Sequence, residues 1–227
     1  ELRGRTPSLR YAFTHHYYHN AFHDALRGAR RQKLSAAVAA ALQEYHGASG
    51  AMAAELAVLY QAANDVRQAA VQYLAAAQHA ARVFAHKESV VLARRGLDML
   101  AGVEESAERD RLELQLLTVL GIALTPLAGY AAPEVEAVYS RAREFCDRLG
   151  DSAGRLAALY GIHRYYVLSG RLETACDLGQ QLLDLASRDS NPLQLLLAHY
   201  TLVPSLIHLA AYDRALEHVS VVSSVYE

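Results

Sequence analysis

The chain has 227 residues but no tryptophan, two cysteines and five prolines, and these shortages narrow what it can be. Two cysteines cannot build the dense disulfide framework of a small secreted domain. Cys146 and Cys176 both fall at apolar positions of helical patterns, where buried, reduced thiols are expected. Few prolines, 13 glycines and sparse β-branched residues disfavour a fold of many short strands and turns. The formal charge of -2 provides no uniformly basic surface for nucleic acid. No signal-peptide succession opens the chain. Leu116 to Pro133 and Ser190 to Tyr212 lack formal charge, but Thr118, Gly121 and Pro126 interrupt the first and Asn191, His199 and Pro204 the second. Both read as helices buried among helices, with no membrane span. The sequence holds no Gly-x-x-x-x-Gly-Lys-Ser/Thr phosphate loop, no His-Glu-x-x-His and no Gly-x-Ser-x-Gly. The expectation is therefore a cytoplasmic protein that is not an enzyme, with no cofactor and no metal.

What is present is helix-forming. Residues of hydrophobic type make up 52% of the chain, with Ala and Leu dominant. Apolar positions recur at steps of three and four, which predicts helices at about 17 to 28, 30 to 46, 50 to 63, 66 to 84, 87 to 101, 106 to 127, 133 to 149, 153 to 169, 172 to 187, 192 to 210 and 212 to 226. The punctuators between them, such as Asn64-Asp65, Gly150-Asp151, Gly170-Arg171 and Asn191-Pro192, are short enough to join antiparallel neighbours. The clearest helix follows Gly129 and Pro133. Its stripe of Val135, Val138, Ala142, Phe145, Cys146 and Leu149 needs partners, and its charged face pairs Arg143 with Asp147 and Glu144 with Arg148. Before all of these, Tyr11 to Thr14 reads as a short strand.

A degenerate repeat underlies the series. NDVRQAAVQYL, HKESVVLARRGLDML, GRLETACDLGQQLL and AYDRALEHVSVV each place a small or aliphatic residue after a polar start. Ala175 to Ala215 spans 40 residues and Ala137 to Ala175 spans 38, so the unit is about two helices long. A helix pair cannot bury its own stripe, whereas stacked pairs can. The expected fold is all-α, a right-handed α-solenoid of tetratricopeptide-like helix pairs.

GYAAPEVEAVYSRAREFCDRLGD, followed by GRLETACDLGQQLLDLA and preceded by HKESVVLARRGLDML, resembles the tetratricopeptide-like region C-terminal to the predicted ATPase module of bacterial STAND-type signalling proteins. These include proteins linked to a class III adenylate cyclase and LuxR-like transcriptional regulators. RYAFTHHYYHNAFHDAL, with Phe13 and His15 two apart, resembles the junction where a winged-helix element ends and the helical array begins. The resemblance implies two parts: residues 1 to 28, the remnant of a winged-helix or junction element, and residues 29 to 227, the solenoid. Glu1 is not Met and the last residues stop within a helical pattern, so a fragment of a larger regulator is expected.

Function then rests on surfaces. In a solenoid the first helix of each pair lines the concave face, which makes Arg164, Tyr165, His199, Tyr200 and His208 candidates for a groove. Fourteen tyrosines suit both packing and recognition there. His15, His19 and His23 share a helical face with spacing suggestive of a metal site, but no ligand set completes it, and junction packing is the stronger reading. Arg27, Arg30 and Arg31, with Lys33, form a basic run; residues 1 to 33 carry a local +5. The run suits a junction surface better than DNA, because no complete recognition helix accompanies it. The expected role is a non-catalytic protein-interaction or sensor arm whose partner is a protein, either another domain of the parent chain or a separate molecule. The alternatives are a small-molecule receptor, or a DNA-binding winged helix with a helical dimerisation arm. Self-association through uncovered end faces is a further expectation.

Overall fold

Ten helices carry the described residues. They are α1 Gly28–His46, α2 Ala53–Ala62, α3 Val66–Arg82, α4 His86–Leu100, α5 Ala107–Ala128, α6 Pro133–Leu149, α7 Ser152–Leu168, α8 Leu172–Arg188, α9 Pro192–His208 and α10 Tyr212–Ser223. A computed structural model describes residues 2–3, 6–7, 28–46, 50–129, 131–150, 152–188 and 191–224. The expected strand at Tyr11 to Thr14, the expected helix before Gly28, and His15, His19, His23 and Arg27 lie outside these residues. Near the start, β1 (Leu2–Arg3) pairs antiparallel with β2 (Thr6–Pro7), with Leu2 opposite Pro7.

Four of the turns are copies of one another. Asn64, Phe84, Gly170 and Ala210 each adopt a left-handed conformation, with φ of 62°, 59°, 78° and 57°. In each, the next N–H donates to a carbonyl five residues back: Asp65 to Tyr60, Ala85 to Ala80, Arg171 to Tyr166 and Ala211 to Leu206, all at 2.9 Å. This is the paired hydrogen-bond pattern that closes a helix C-terminus and satisfies its orphan carbonyls. The following helix starts at once. Five residues beyond each left-handed position sits a buried small residue, Ala69, Ser89, Ala175 or Ala215, which lets two antiparallel helices approach closely. Ser89 fits this series because its hydroxyl donates to the Ala77 carbonyl. The turns that open these four helices are therefore alike, but Asn64 and Phe84 stand on successive helices, so the likeness belongs to the turn rather than to a two-helix unit. Ala137, however, is exposed, and Val135 and Val138 take the buried places in α6. The 38-residue alignment fails there because α6 opens with Pro133 after the differently shaped turn at Gly129.

Packing is sequential, each helix lying against the next. Beyond sequence neighbours, α3 contacts α5, α5 contacts α7 and α7 contacts α9, so the odd-numbered helices also lie side by side. The α6 stripe joins the same buried cluster as Leu116, Leu120 and Leu124 of α5 and Ala158 of α7. Glycines set the closest approaches. A Cβ on Gly121 or Gly161 would lie 2.8 or 2.5 Å from the Tyr139 ring, which is seated between α5 and α7. Gly96 and Gly179 admit Leu116 and Leu202 in the same way.

Polar contacts tie the stack. Glu113, 1% exposed on α5, pairs with Arg141 of α6 and lies 3.2 Å from Arg109. Arg143 approaches Asp147 at 4.0 Å as its spacing predicts, whereas Arg148 reaches across to Asp110 at 3.4 Å. By length and composition α5 is apolar enough to cross a membrane, but 56% of its most apolar window is buried within the protein and Glu113 is held in its ion pairs.

Candidate functional site

Because α5, α7 and α9 are covered by neighbours on several sides, each leaves only a narrow strip uncovered. On α7 the strip is Ala157, Tyr160, Arg164 and Leu168, at helical steps of three and four. The α5 strip runs through Gln115, Thr118, Ile122 and Pro126, and the α9 strip through Leu193, Leu197, Tyr200 and Pro204. Two clefts form where these strips meet. One, of about 220 Å³, lies between α7 and α9 and includes Tyr160, His163, Arg164, Tyr200 and Pro204. The other, of about 470 Å³, reaches from α5 to α9 past Ile122, Tyr139, Gly161 and Leu197. Tyr160 and Arg164 line both clefts, so the two form one groove with a shared centre.

Arg164 is steadied by Tyr160. Its Nη1 donates to the Tyr160 hydroxyl at 3.4 Å and its guanidinium lies 5.8 Å from the ring centre. Among the described residues lining the two clefts, Arg164 is the single charged side chain at neutral pH and none is acidic. Beside it, His163 is 2% exposed. Burial, reinforced by the Arg164 charge, pushes its pKa down to about 4, so the ring is neutral. Its Nε2 lies 3.5 Å from the Ser205 hydroxyl, which also lies 2.9 Å from the Leu202 carbonyl. Nδ1 is buried, with no hydrogen-bond partner among the described residues.

The five groove candidates separate. Arg164 and Tyr200 meet at the cleft between α7 and α9, with Tyr200 58% exposed. Tyr165 is buried at the wall of the larger cleft and supports the groove from beneath. His199 turns to α10, its Nδ1 2.8 Å from Nδ1 of His218; burial and the mutual proximity of the rings lower the His199 pKa, and burial with Arg214 lowers that of His218. His208 is exposed at the end of α9, its Nδ1 2.7 Å from the Pro204 carbonyl. Of the junction candidates, Arg30 and Arg31 are exposed on α1. Sequence reading missed Tyr160, His163 and Tyr139. The signal for the first was available, since Tyr160 stands one turn before Arg164.

A second polar cluster lies at the edge of α7. Glu136 of α6 accepts a hydrogen bond from Tyr166 and two from Arg171, at 2.9 and 3.0 Å. The Tyr166 bond, then Tyr165 and Arg171, holds the Glu136 carboxyl below the usual carboxylate range against the opposing effect of burial, and the same carboxylate raises the Tyr166 pKa. The Arg171 guanidinium also lies 4.2 Å from the Tyr166 ring centre. All of its groups are mutually satisfied, so this cluster joins α6, α7 and the α7–α8 turn. Among the described residues no three His, Cys, Asp or Glu side chains group as metal ligands. Compared with known proteins, the chain matches no family model and no curated protein.

Proposed function

We propose that this chain is the interaction or sensor arm of a bacterial regulator, built as a right-handed α-solenoid of tetratricopeptide-like pairs, and that it acts by binding rather than by chemistry. The pairs are α3–α4, α5–α6, α7–α8 and α9–α10, with the odd helices as the inner layer. One observation carries the reading: the uncovered strips of α5, α7 and α9 converge on a single groove centred on Tyr160 and Arg164. Tyrosine, arginine and aliphatic walls are the surfaces that recognise partners. The STAND-type resemblance supplies the setting. Binding in the groove would bias the arm between two arrangements relative to the rest of the regulator, by its differential affinity for them.

The test is capture of partners from bacterial lysate by the chain and by a groove-blocked variant, Leu197→Arg. Leu197 is exposed, so the change leaves the core intact. Proteins held by the chain and released by the variant support the reading. Metabolite-induced thermal stabilisation without any such protein would favour the small-molecule receptor. Salt-dependent DNA binding that is lost on Arg30→Glu and Arg31→Glu would favour the winged-helix alternative.

A further inference from the structure

The last described helix is held differently from those before it. α10 packs on α9, and Ala215 is the one residue it buries, whereas α4 buries six and α8 five. The apolar cluster that Ala215 joins is small, with Leu202 and Leu206 of α9 as its other buried members. A helix anchored by so little apolar contact depends on its remaining ties. Among the described residues no ion pair joins α10 to another helix, and one hydrogen bond between side chains does, that of His199 on α9 with His218.

The geometry of this bond fixes what it tolerates. The two Nδ1 atoms are 2.8 Å apart and the ring centres 5.0 Å apart. The second distance is nearly the first plus the reach from each ring centre to its own nitrogen, so the nitrogens meet head-on. A head-on pair needs one proton between its nitrogens, with one ring donating and the other accepting. Two neutral rings supply it when one of them carries its proton on Nδ1. A single added proton keeps the bond, because an imidazolium then donates to an imidazole. The second added proton does not. Each ring then has a proton on Nδ1, and two cations face one another with two donors and no acceptor.

The surroundings do not relieve that state. On α10, Arg214 adds positive charge beside His218 and Glu217 opposes it. α9 carries no Asp, Glu, Lys or Arg, and His208 lies at its far end against the Pro204 carbonyl. Glu173, Asp177, Asp184 and Arg188 of α8 are exposed, and neither they nor Arg155 and Arg164 of α7 act on either ring. Both rings are half-buried, and burial lowers the pKa of each.

We infer that the contact between His199 and His218 is an acid-sensitive clasp: it holds α10 on α9 while the pair carries at most one added proton, and double protonation releases α10 and opens the cluster of Leu202, Leu206 and Ala215 to solvent. The clasp is independent of what the groove binds.

Hydrogen exchange of the full chain at pH 7.5 and pH 5.0, corrected for the intrinsic exchange rate, tests it. The expected result is protection across residues 212 to 223 at the higher pH that falls about tenfold at the lower, while α3 and α4 keep theirs. His199→Gln and His218→Gln each remove one chargeable ring, so in either variant α10 protection is the same at both pH values. An α10 that is unprotected at pH 7.5, one equally protected at both pH values in the parent chain, or acid loss that persists in both variants overturns the clasp. Where a substitution frees α10 at both pH values, the imidazole titration of the parent chain decides by nuclear magnetic resonance. Two separated steps, with α10 protection lost at the second, support the clasp; independent single steps overturn it.

Discussion

Two buried polar side chains, Glu113 and His163, carry testable electrostatic consequences. Glu113 pairs with Arg141 and Arg109, so replacing it with Leu leaves two guanidinium groups over an apolar contact. Breaking a buried pair costs about 3 to 5 kcal/mol, and because Arg141 is 57% exposed and turns readily to water, the expected loss here is about 2 kcal/mol. Urea unfolding of Glu113→Leu measures it; a change below about 0.5 kcal/mol would show that the pair is an ordinary surface contact. His163 is kept neutral. Its folded pKa, about 4, lies below the unfolded value near 6.5, so between those limits the unfolded chain binds more protons. The stability that neutral His163 contributes is complete above pH 6.5 and is lost as pH falls towards 4, by at most about 3 kcal/mol. His199 and His218 act with the same sign. Melting temperature should therefore drop between pH 7 and 5, and the drop should be smaller in His163→Gln.

Among elements, the repeated turn makes a prediction opposite to the usual direction of mutation. Phe84 and Ala210 hold left-handed backbones that favour glycine, as Gly170 does in the equivalent turn. Phe84 is 80% exposed, so its ring contributes little to the core. Phe84→Gly and Ala210→Gly are expected to raise unfolding free energy by about 1 kcal/mol each, because a side chain in that conformation costs about 1 to 2 kcal/mol. Gly161→Ala should do the reverse. Alanine is the better helix former by about 1 kcal/mol, but its Cβ would lie 2.5 Å from a seated aromatic ring, and overpacking of that kind costs about 1 to 3 kcal/mol. A net loss of stability in the melt of Gly161→Ala, with Tyr139→Leu relieving it, is the expected pattern. These turns also show what the sequence makes legible. Asn64, Gly150, Gly170 and Asn191-Pro192 announce helix ends by their chemistry, so most boundaries fall within a few residues. Phe84 and Ala210 adopt the same geometry without the residue that signals it. There the preceding helices end at Arg82 and His208, two residues earlier than periodicity suggests.

At the scale of the molecule, the all-helical architecture and its neighbour-to-neighbour packing follow from the recurrence of apolar stripes. The site was legible only in part. Periodicity shows which residues share a stripe, but α7 is apolar on nearly every side, and a stripe cannot say which narrow strip neighbouring helices leave open. Of the groove candidates the structure places Arg164 and Tyr200 at the cleft between α7 and α9, Tyr165 in a cleft wall and His199 beside His218, while Tyr160 and His163 reach the same cleft through packing that periodicity does not show. The central claim is that the α5, α7 and α9 strips form one binding surface. Hydrogen exchange of the full chain, with and without a protein captured by it and released by Leu197→Arg, tests it directly. The account predicts new protection in and around residues 118 to 126, 157 to 168 and 197 to 204, lost with Leu197→Arg. Protection on α1, or confined to α10, with those three segments unchanged, would contradict it.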